Sequence, residues 1–393
     1  MRVWILAGLT LAVGCSAPPF ETGPELSLPA GPVPVTHDEG VDATVAAAVE
    51  ERVVAYMEDD GPPGLGVALV RDGAVLYAGG YGWADVEDEL PLGPRTSVLL
   101  SSVSKTFIGV AAMQAVDEGR LQLDQPLTDV LPFTLDGPSD APITFRHVLT
   151  HHSGIRDTVE YGRAYAEGDP TVGLGEFLES YLVRGGSRWR SGSFAGHEPG
   201  DRFAYSNVGA ALAGFAVGEA SGTSFASIVF DEILLPLGMN DSAYYLSDLV
   251  RSPAVPYDRM GDGLAAWPQY GYPTYPDGMM RSSARDMARY VAAMVDGELE
   301  GTRILEESTA REMVTVDPAL GTDEDGQAIA WAMRRLEGRP LVGHNGLDYG
   351  SLCELWFDPE TGDGFVLLLN GFPGTSFGRL IDLEADLFAL AEG

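Results

Sequence analysis

The chain has 393 residues, 45% of them hydrophobic and 21% charged, which is ample for a large buried core and excludes a disordered or low-complexity protein. Its formal net charge is −34, and so acidic a surface repels phosphate backbones and excludes nucleic acid as a natural partner. The basic residues are 23 arginines and one lysine, Lys105. Arginine keeps its proton at neutral pH while a buried lysine can release one, so the solitary lysine is a candidate chemical group.

Met1-Arg2 and the apolar stretch Val3–Gly14 read as an export signal, too short to span a membrane as a mature helix. Small residues before Cys15 resemble a bacterial lipobox, with leucine one place further back than usual. The expectation is a lipoprotein anchored at Cys15 and facing the periplasm or cell exterior; an ordinary signal peptide with a chance cysteine is the plain alternative. Residues 15–40 hold six prolines and little periodicity, and read as an extended tether. The domain then runs over 41–393. Cys353 has no partner once Cys15 is used, so no disulfide framework forms, and its apolar run predicts a core position.

Helical periodicity begins after Asp42, and a hairpin follows, with Gly66–Val70 and Ala74–Tyr81 joined at Asp72-Gly73. The small-residue stretch Ser102–Glu118 predicts a buried helix stopped at Gly119. From about 121 to 280 the pattern is mostly helix and loop; helical periodicity recurs at Val208–Ala220 and Phe225–Leu235, and beyond that stretch at Ser283–Met294. Strands are expected at Ala328–Leu336, Pro340–Gly343, Ser351–Phe357 and Gly364–Asn370, and a last helix at Arg379–Ala391. The fold class is therefore α+β: an antiparallel sheet fed by both chain ends and flanked by helices, with a large inserted helical region.

Three short motifs carry chemistry. In Ser102-Val103-Ser104-Lys105 the hydroxyl and the amine share one helix face, so the lysine can serve as the base that a serine nucleophile needs. In Tyr205-Ser206-Asn207 the tyrosine beside an ammonium is a second base, and the Asn207 amide can bind a carbonyl and the lysine at once. In Gly343-His344-Asn345-Gly346 a glycine permits close backbone approach, and the Leu347 amide can serve as an oxyanion donor.

In this order the three motifs resemble the set of the serine β-lactamases and penicillin-binding proteins. The tyrosine form resembles the class C β-lactamase-related branch, which also holds D-alanyl-D-alanine carboxypeptidases, D-aminopeptidases and esterases. Ile143–Ile155, Leu235–Ser242, Gly278–Tyr290 and Phe357–Asn370 are similar to further segments of that family, so the resemblance spans roughly residues 45–390. It implies a β-lactamase/transpeptidase-like fold. It also implies attack by Ser102 on a carbonyl, proton transfer by Lys105 and Tyr205, an oxyanion held by the amides of Ser102 and Leu347, and hydrolysis of the acyl-enzyme by water. Asn207, His344 and Gly346 would line the site, with no cofactor or metal. His344 departs from the usual lysine, which helps bind a substrate carboxylate, so ester or D-amino-acid peptide substrates are preferred over β-lactams. A non-catalytic penicillin- or peptidoglycan-binding protein on the same fold is the alternative.

Other constellations are weaker. His147, His151 and His152 include an i, i+4 pair but lack the further ligands of a hydrolytic metal site. Gly222-Thr223-Ser224-Phe225-Ala226 lacks the Gly-X-Ser-X-Gly of an α/β-hydrolase and reads as a helix start. Arg184, Arg188 and Arg190 could meet an anionic substrate but read first as solvated surface.

Overall fold

The structure is a computed structural model that describes residues 20–59, 61–137, 139–261, 263–316, 326–374 and 377–393. The export segment and Cys15 lie outside the described residues.

The central antiparallel sheet uses β1 (Val35–His37), β2 (Gly64–Arg71) and β3 (Ala74–Asp85) from the N-terminal part. From the C-terminal part it takes β4 (Ala332–Leu336), β5 (Arg339–Asp348), β6 (Ser351–Phe357) and β7 (Gly364–Leu369), in the spatial order β4-β5-β6-β7-β2-β3-β1. The β2–β3 hairpin turns at Asp72 (φ 50°) and Gly73 (φ 71°), the paired left-handed conformation that matches strand twist. Alternation along the strands divides the core. Leu65, Val67 and Leu69 of β2 and Phe365, Leu367 and Leu369 of β7 pack with residues of α1 (Ala43–Glu58) and α5 (Phe377–Glu392). Asp42 caps α1 by accepting from the Thr44 and Val45 amides at 2.8 and 3.2 Å. Ala68, Val70, Val366 and Leu368 face the other way, into the larger core.

That larger core is built on α2 (Lys105–Asp117), α3 (Asn207–Ser221) and α4 (Ala284–Met294). In α2 the residues from Lys105 to Ala115 are all buried, as its small-residue composition predicts. The helix begins later than the sequence suggests: Ser101–Ser104 form a 3₁₀ turn ahead of it. Phe225 opens a short helix that widens into a π-turn at Phe230–Leu234, and Ser224 is its N-cap. The stretch read as helix and loop also contains the strands Tyr257–Met260 and Gly263–Ala266, joined by Glu25–Leu26 into a small sheet. β4 starts at Ala332 and not at Ala328, because Ala330 takes a left-handed φ of 61°.

From Phe20 onward the proline-rich segment is extended yet docked on the domain. Phe20 stacks on Tyr270 at 5.4 Å and meets Trp267 and Tyr349 edge-on, Glu25–Leu26 pair with residues 264–265, and β1 takes the edge of the main sheet. Cys353 is a free, buried thiol against the Leu99 carbonyl. Among the described residues no single helix is long and apolar enough to cross a membrane.

One buried charge cluster governs the outer layer. Arg334 reaches Glu384 of α5 at 2.8 Å and Glu354 of β6 at 3.7 Å, and lies over the Trp356 ring at 4.1 Å. One guanidinium serves two buried carboxyls, so burial and mutual repulsion push the Glu354 acid well above the ordinary glutamate range. The folded state then holds a proton that the unfolded state releases, and this contribution is lost as pH rises through the raised value. Urea titrations at pH 5 and pH 8 should show the wild type weaker at pH 8. Glu354→Gln, whose carbonyl still accepts from Trp356 Nε1, should shrink that difference by on the order of 1 kcal/mol. An unchanged difference would mean that this acid does not titrate in that window.

Candidate active site

The 3₁₀ turn sits where β5 and the segment Tyr275–Ser282 converge. Leu99 pairs with Arg281 and Val98 with Ser282, and the Leu100 amide donates to the Met280 carbonyl at 2.8 Å. Ser101 takes a left-handed φ of 50°, uncommon for a non-glycine residue, and its hydroxyl donates to Ser351 Oγ. Ser351 in turn donates to the Leu99 carbonyl at 2.5 Å. The strained residue is thus held from two sides, and it points the next one, Ser102, to partial exposure.

Lys105 lies one turn on and is 1% exposed. Its Nζ donates to Ser102 Oγ at 3.1 Å and to the Asp277 carbonyl at 2.7 Å. The Tyr205 ring faces the same ammonium, with its centroid 5.1 Å from Nζ. A partly exposed hydroxyl within hydrogen-bond reach of a buried amine is an arrangement that can serve nucleophilic catalysis by serine, which needs an adjacent base.

The second motif opens α3. Ser206 is the N-cap, its hydroxyl accepting from the Gly209 amide. Asp157, which the sequence did not single out, organises the motif. It accepts from Ser206 Oγ, from the Asn207 and Val208 amides and from Asn207 Nδ2, all at 2.9–3.0 Å. The Asn207 side chain is thereby oriented with its amide nitrogen engaged on Asp157.

The third motif lies on β5. Gly346 is flush against the turn: a Cβ there would meet the Leu100 carbonyl at 2.2 Å and the Ser102 amide nitrogen at 3.1 Å. The strand therefore brings its backbone, with Leu347 next, beside the Ser102 amide. His344 is buried, and its ring centroid is 6.2 Å from that of Tyr205. Its Nδ1 contacts the Asn345 carbonyl at 2.5 Å; a carbonyl only accepts, so the proton sits on Nδ1 and Nε2 keeps its lone pair. Burial and then the charge of Lys105 push this imidazole down to about 4. An NMR titration should find the His344 ring neutral at pH 6 and protonating only near pH 4; an inflection above pH 6 would contradict this environment.

The other histidines are spent locally. His151 lies against Tyr205 with ring centroids 4.3 Å apart and the planes tilted by 31°, and its Nδ1 accepts from the Ser206 amide. His147 closes a capping box with Thr144, and His152 Nδ1 bonds the Thr150 carbonyl. Among the described residues no group of three or more His, Cys, Asp or Glu is placed to hold a metal. The three arginines before the second motif are likewise engaged within the protein. Arg184 lies over Trp189, Arg188 over Phe177, and Arg190 pairs with Glu160 at 2.6 Å.

The family model for Beta-lactamase matches residues 49–389, which includes all three motifs. The chain belongs to the beta-lactamase family. Other members resemble it over most of its length. Penicillin-binding protein 4* of Bacillus subtilis is 28% identical over 83% of this chain and 67% of its own length. Protein flp of Staphylococcus aureus is 22% identical over 78% of this chain; the match spans only 59% of that protein. Among solved structures, the octameric penicillin-binding protein homologue from Pyrococcus abyssi superposes with a TM-score of 0.68, at 26% identity, over 88% of this chain and 78% of its own. A class C beta-lactamase superposes at 0.72 over 91% and 99%; at 20% identity it speaks for the fold.

Proposed function

We propose that this protein is an exported serine hydrolase. In this reading Ser102 is the nucleophile, Lys105 and Tyr205 pass its proton, and the amides of Ser102 and Leu347 take the oxyanion. Asn207, His344 and Gly346 line the substrate. The acyl group comes from esters or D-amino-acid amides and peptides in preference to β-lactams. The observation that carries the substrate preference is His344. A neutral ring whose free nitrogen is an acceptor cannot pair a substrate carboxylate, and it suits an N–H donor or a neutral ester. The basic side chain in contact with Ser102 is Lys105, and its hydrogen bonds to Ser102 Oγ and the Asp277 carbonyl are both made inside the protein. We further propose that Cys15 carries a lipid anchoring the protein to the bacterial membrane, on the strength of Val3–Gly14 and the small residues before the cysteine.

Two measurements test this. A fluorophosphonate probe should label the wild type and not Ser102→Ala; no labelling of the wild type would favour a binding role on the same fold. A panel of p-nitrophenyl esters, D-amino-acid anilides and a chromogenic cephalosporin should give its highest kcat/KM on a short ester or D-amino-acid anilide. A cephalosporinase without esterase activity would overturn the substrate preference. Incorporation of a fatty-acid analogue that is lost in Cys15→Ser tests the anchor.

A further inference from the structure

Two residues past the short helix Phe145–Leu149, His151 takes a left-handed φ of 59°, a region that residues other than glycine seldom occupy. It is 3% exposed. Its neighbours pin this conformation. The Leu149 carbonyl accepts from the Ala330 amide at 2.8 Å, the His152 amide donates to the His147 carbonyl at 2.7 Å, and the His152 carbonyl accepts from the Gly200 amide at 2.8 Å. Rotation about φ moves a side chain and its carbonyl together. The left-handed turn therefore carries both hydrogen-bond acceptors of His151 off the preceding helix and toward the second motif.

Both acceptors close on Tyr205 from its two chain neighbours. The Ala204 amide donates to the His151 carbonyl at 2.7 Å, and the Ser206 amide donates to His151 Nδ1 at 3.2 Å. The chain is extended at Ser206 (φ −144°, ψ 122°), and alternate amides of an extended chain share one side, so a single residue beside it can take both. The imidazole then lies along the phenol ring itself, with centroids 4.3 Å apart. Phe203 meets the His151 and His152 rings edge-on at 5.9 and 5.8 Å. Burial holds the His151 imidazole well below the usual histidine range, so it is neutral at working pH, as an accepting Nδ1 requires. His344, the other imidazole beside Tyr205, stands further off, at 6.2 Å.

We propose that His151 is a positioning residue for Tyr205, fixing where the phenol meets Ser102 and Lys105. One residue holds the amide before the tyrosine, the amide after it and the face of its ring. The phenol hydroxyl is the far end of a long lever, so a small turn of that backbone or ring takes it out of hydrogen-bond reach of the reacting hydroxyl. Lys105 is held separately, by Ser102 Oγ and the Asp277 carbonyl. The lysine and tyrosine halves of the pair are thus set by different parts of the chain, and His151 sets the second half.

The inference rests on the reading above that Tyr205 serves Ser102 as a base. Its test is a double-mutant cycle of His151→Asn and Tyr205→Phe in the full chain, read as the rate of fluorophosphonate labelling and as kcat/KM on p-nitrophenyl acetate. Asparagine tolerates a left-handed φ and offers an acceptor oxygen at the δ1 position, so His151→Asn keeps the backbone bonds and removes the ring. It should slow both readouts about tenfold or more. In the Tyr205→Phe background the same change should cost less than about twofold, since no phenol remains to be positioned. Equal losses in the two backgrounds mark a merely structural residue; they, or no loss in either, would overturn the inference and leave the reading of Tyr205 standing. A Tyr205→Phe protein as fast as wild type would overturn that reading and the inference with it. Circular dichroism identifies the folded variants. Should His151→Asn fail to fold, His151→Gly, which fits the left-handed backbone without strain, takes its place in the cycle with the same expected outcome.

Discussion

Lys105→Arg should lower kcat/KM and the labelling rate of Ser102 by about a thousandfold, close to the loss in Ser102→Ala, although it preserves the charge. Two properties separate the side chains at this site. The guanidinium does not release its proton in a protein, so it cannot act as the base for a hydroxyl. It is also planar and bulkier, and the slot between Ser102 Oγ at 3.1 Å and the Asp277 carbonyl at 2.7 Å is buried and close-packed. The rest of the chain uses arginine at every other basic position, including Arg281, which is fully buried and donates to the Tyr270 carbonyl at 2.6 Å. Burial is thus compatible with arginine in this protein, and proton release is what a lysine adds. Circular dichroism and thermal melting would separate misfolding from lost chemistry. A folded Lys105→Arg within tenfold of wild type would remove lysine from the base role and leave Tyr205 to act alone.

Much of this site was readable because its signals are local. Ser102 and Lys105 are three residues apart, Tyr205 and Asn207 two, and His344 and Gly346 two, so one turn or one strand pair places each set. The sheet was readable for the same reason: alternation along β2 and β7 is a period of two in the sequence and two core layers in space. What escaped depends on contacts across long stretches of chain. Asp157 reaches Asn207 over 50 positions, and the Asp277 carbonyl reaches Lys105 over 172. Among 58 acidic residues nothing local marks either one. The sequence predicts the helix from Ser102, three residues ahead of its start at Lys105, because composition registers helix formers and not the left-handed Ser101, whose hydroxyl bonds Ser351 250 positions away. The sequence predicts an extended tether over residues 15–40, and from Phe20 onward the segment is extended and also docked: prolines report extension, and extension is equally what pairing at a sheet edge requires.

Gly346→Ala should cost about a hundredfold in kcat/KM while the protein remains folded. The argument is steric and concerns backbone. The added Cβ would lie 2.2 Å from the Leu100 carbonyl oxygen, 3.1 Å from Ser101 Cβ and 3.1 Å from the Ser102 nitrogen. None of these is the end of a flexible side chain, so either β5 or the 3₁₀ turn has to move. β5 is held by its register with β6, where Gly346 faces Cys353, and Cys353 Sγ itself rests on the Leu99 carbonyl at 3.3 Å. The turn is held by Ser101 and Ser351. Relief must therefore separate the Leu347 and Ser102 amides, the two groups assigned to the oxyanion, and losing one well-placed donor costs about a hundred- to a thousandfold in rate. The strain on stability is smaller, about 1–3 kcal/mol for an overpacked contact. Gly196→Ala is the matched control, since a Cβ there meets nothing within 4 Å, and it should leave both readouts unchanged. If Gly346→Ala kept kcat/KM within threefold, the contact of β5 with the turn would not be what positions the oxyanion donors.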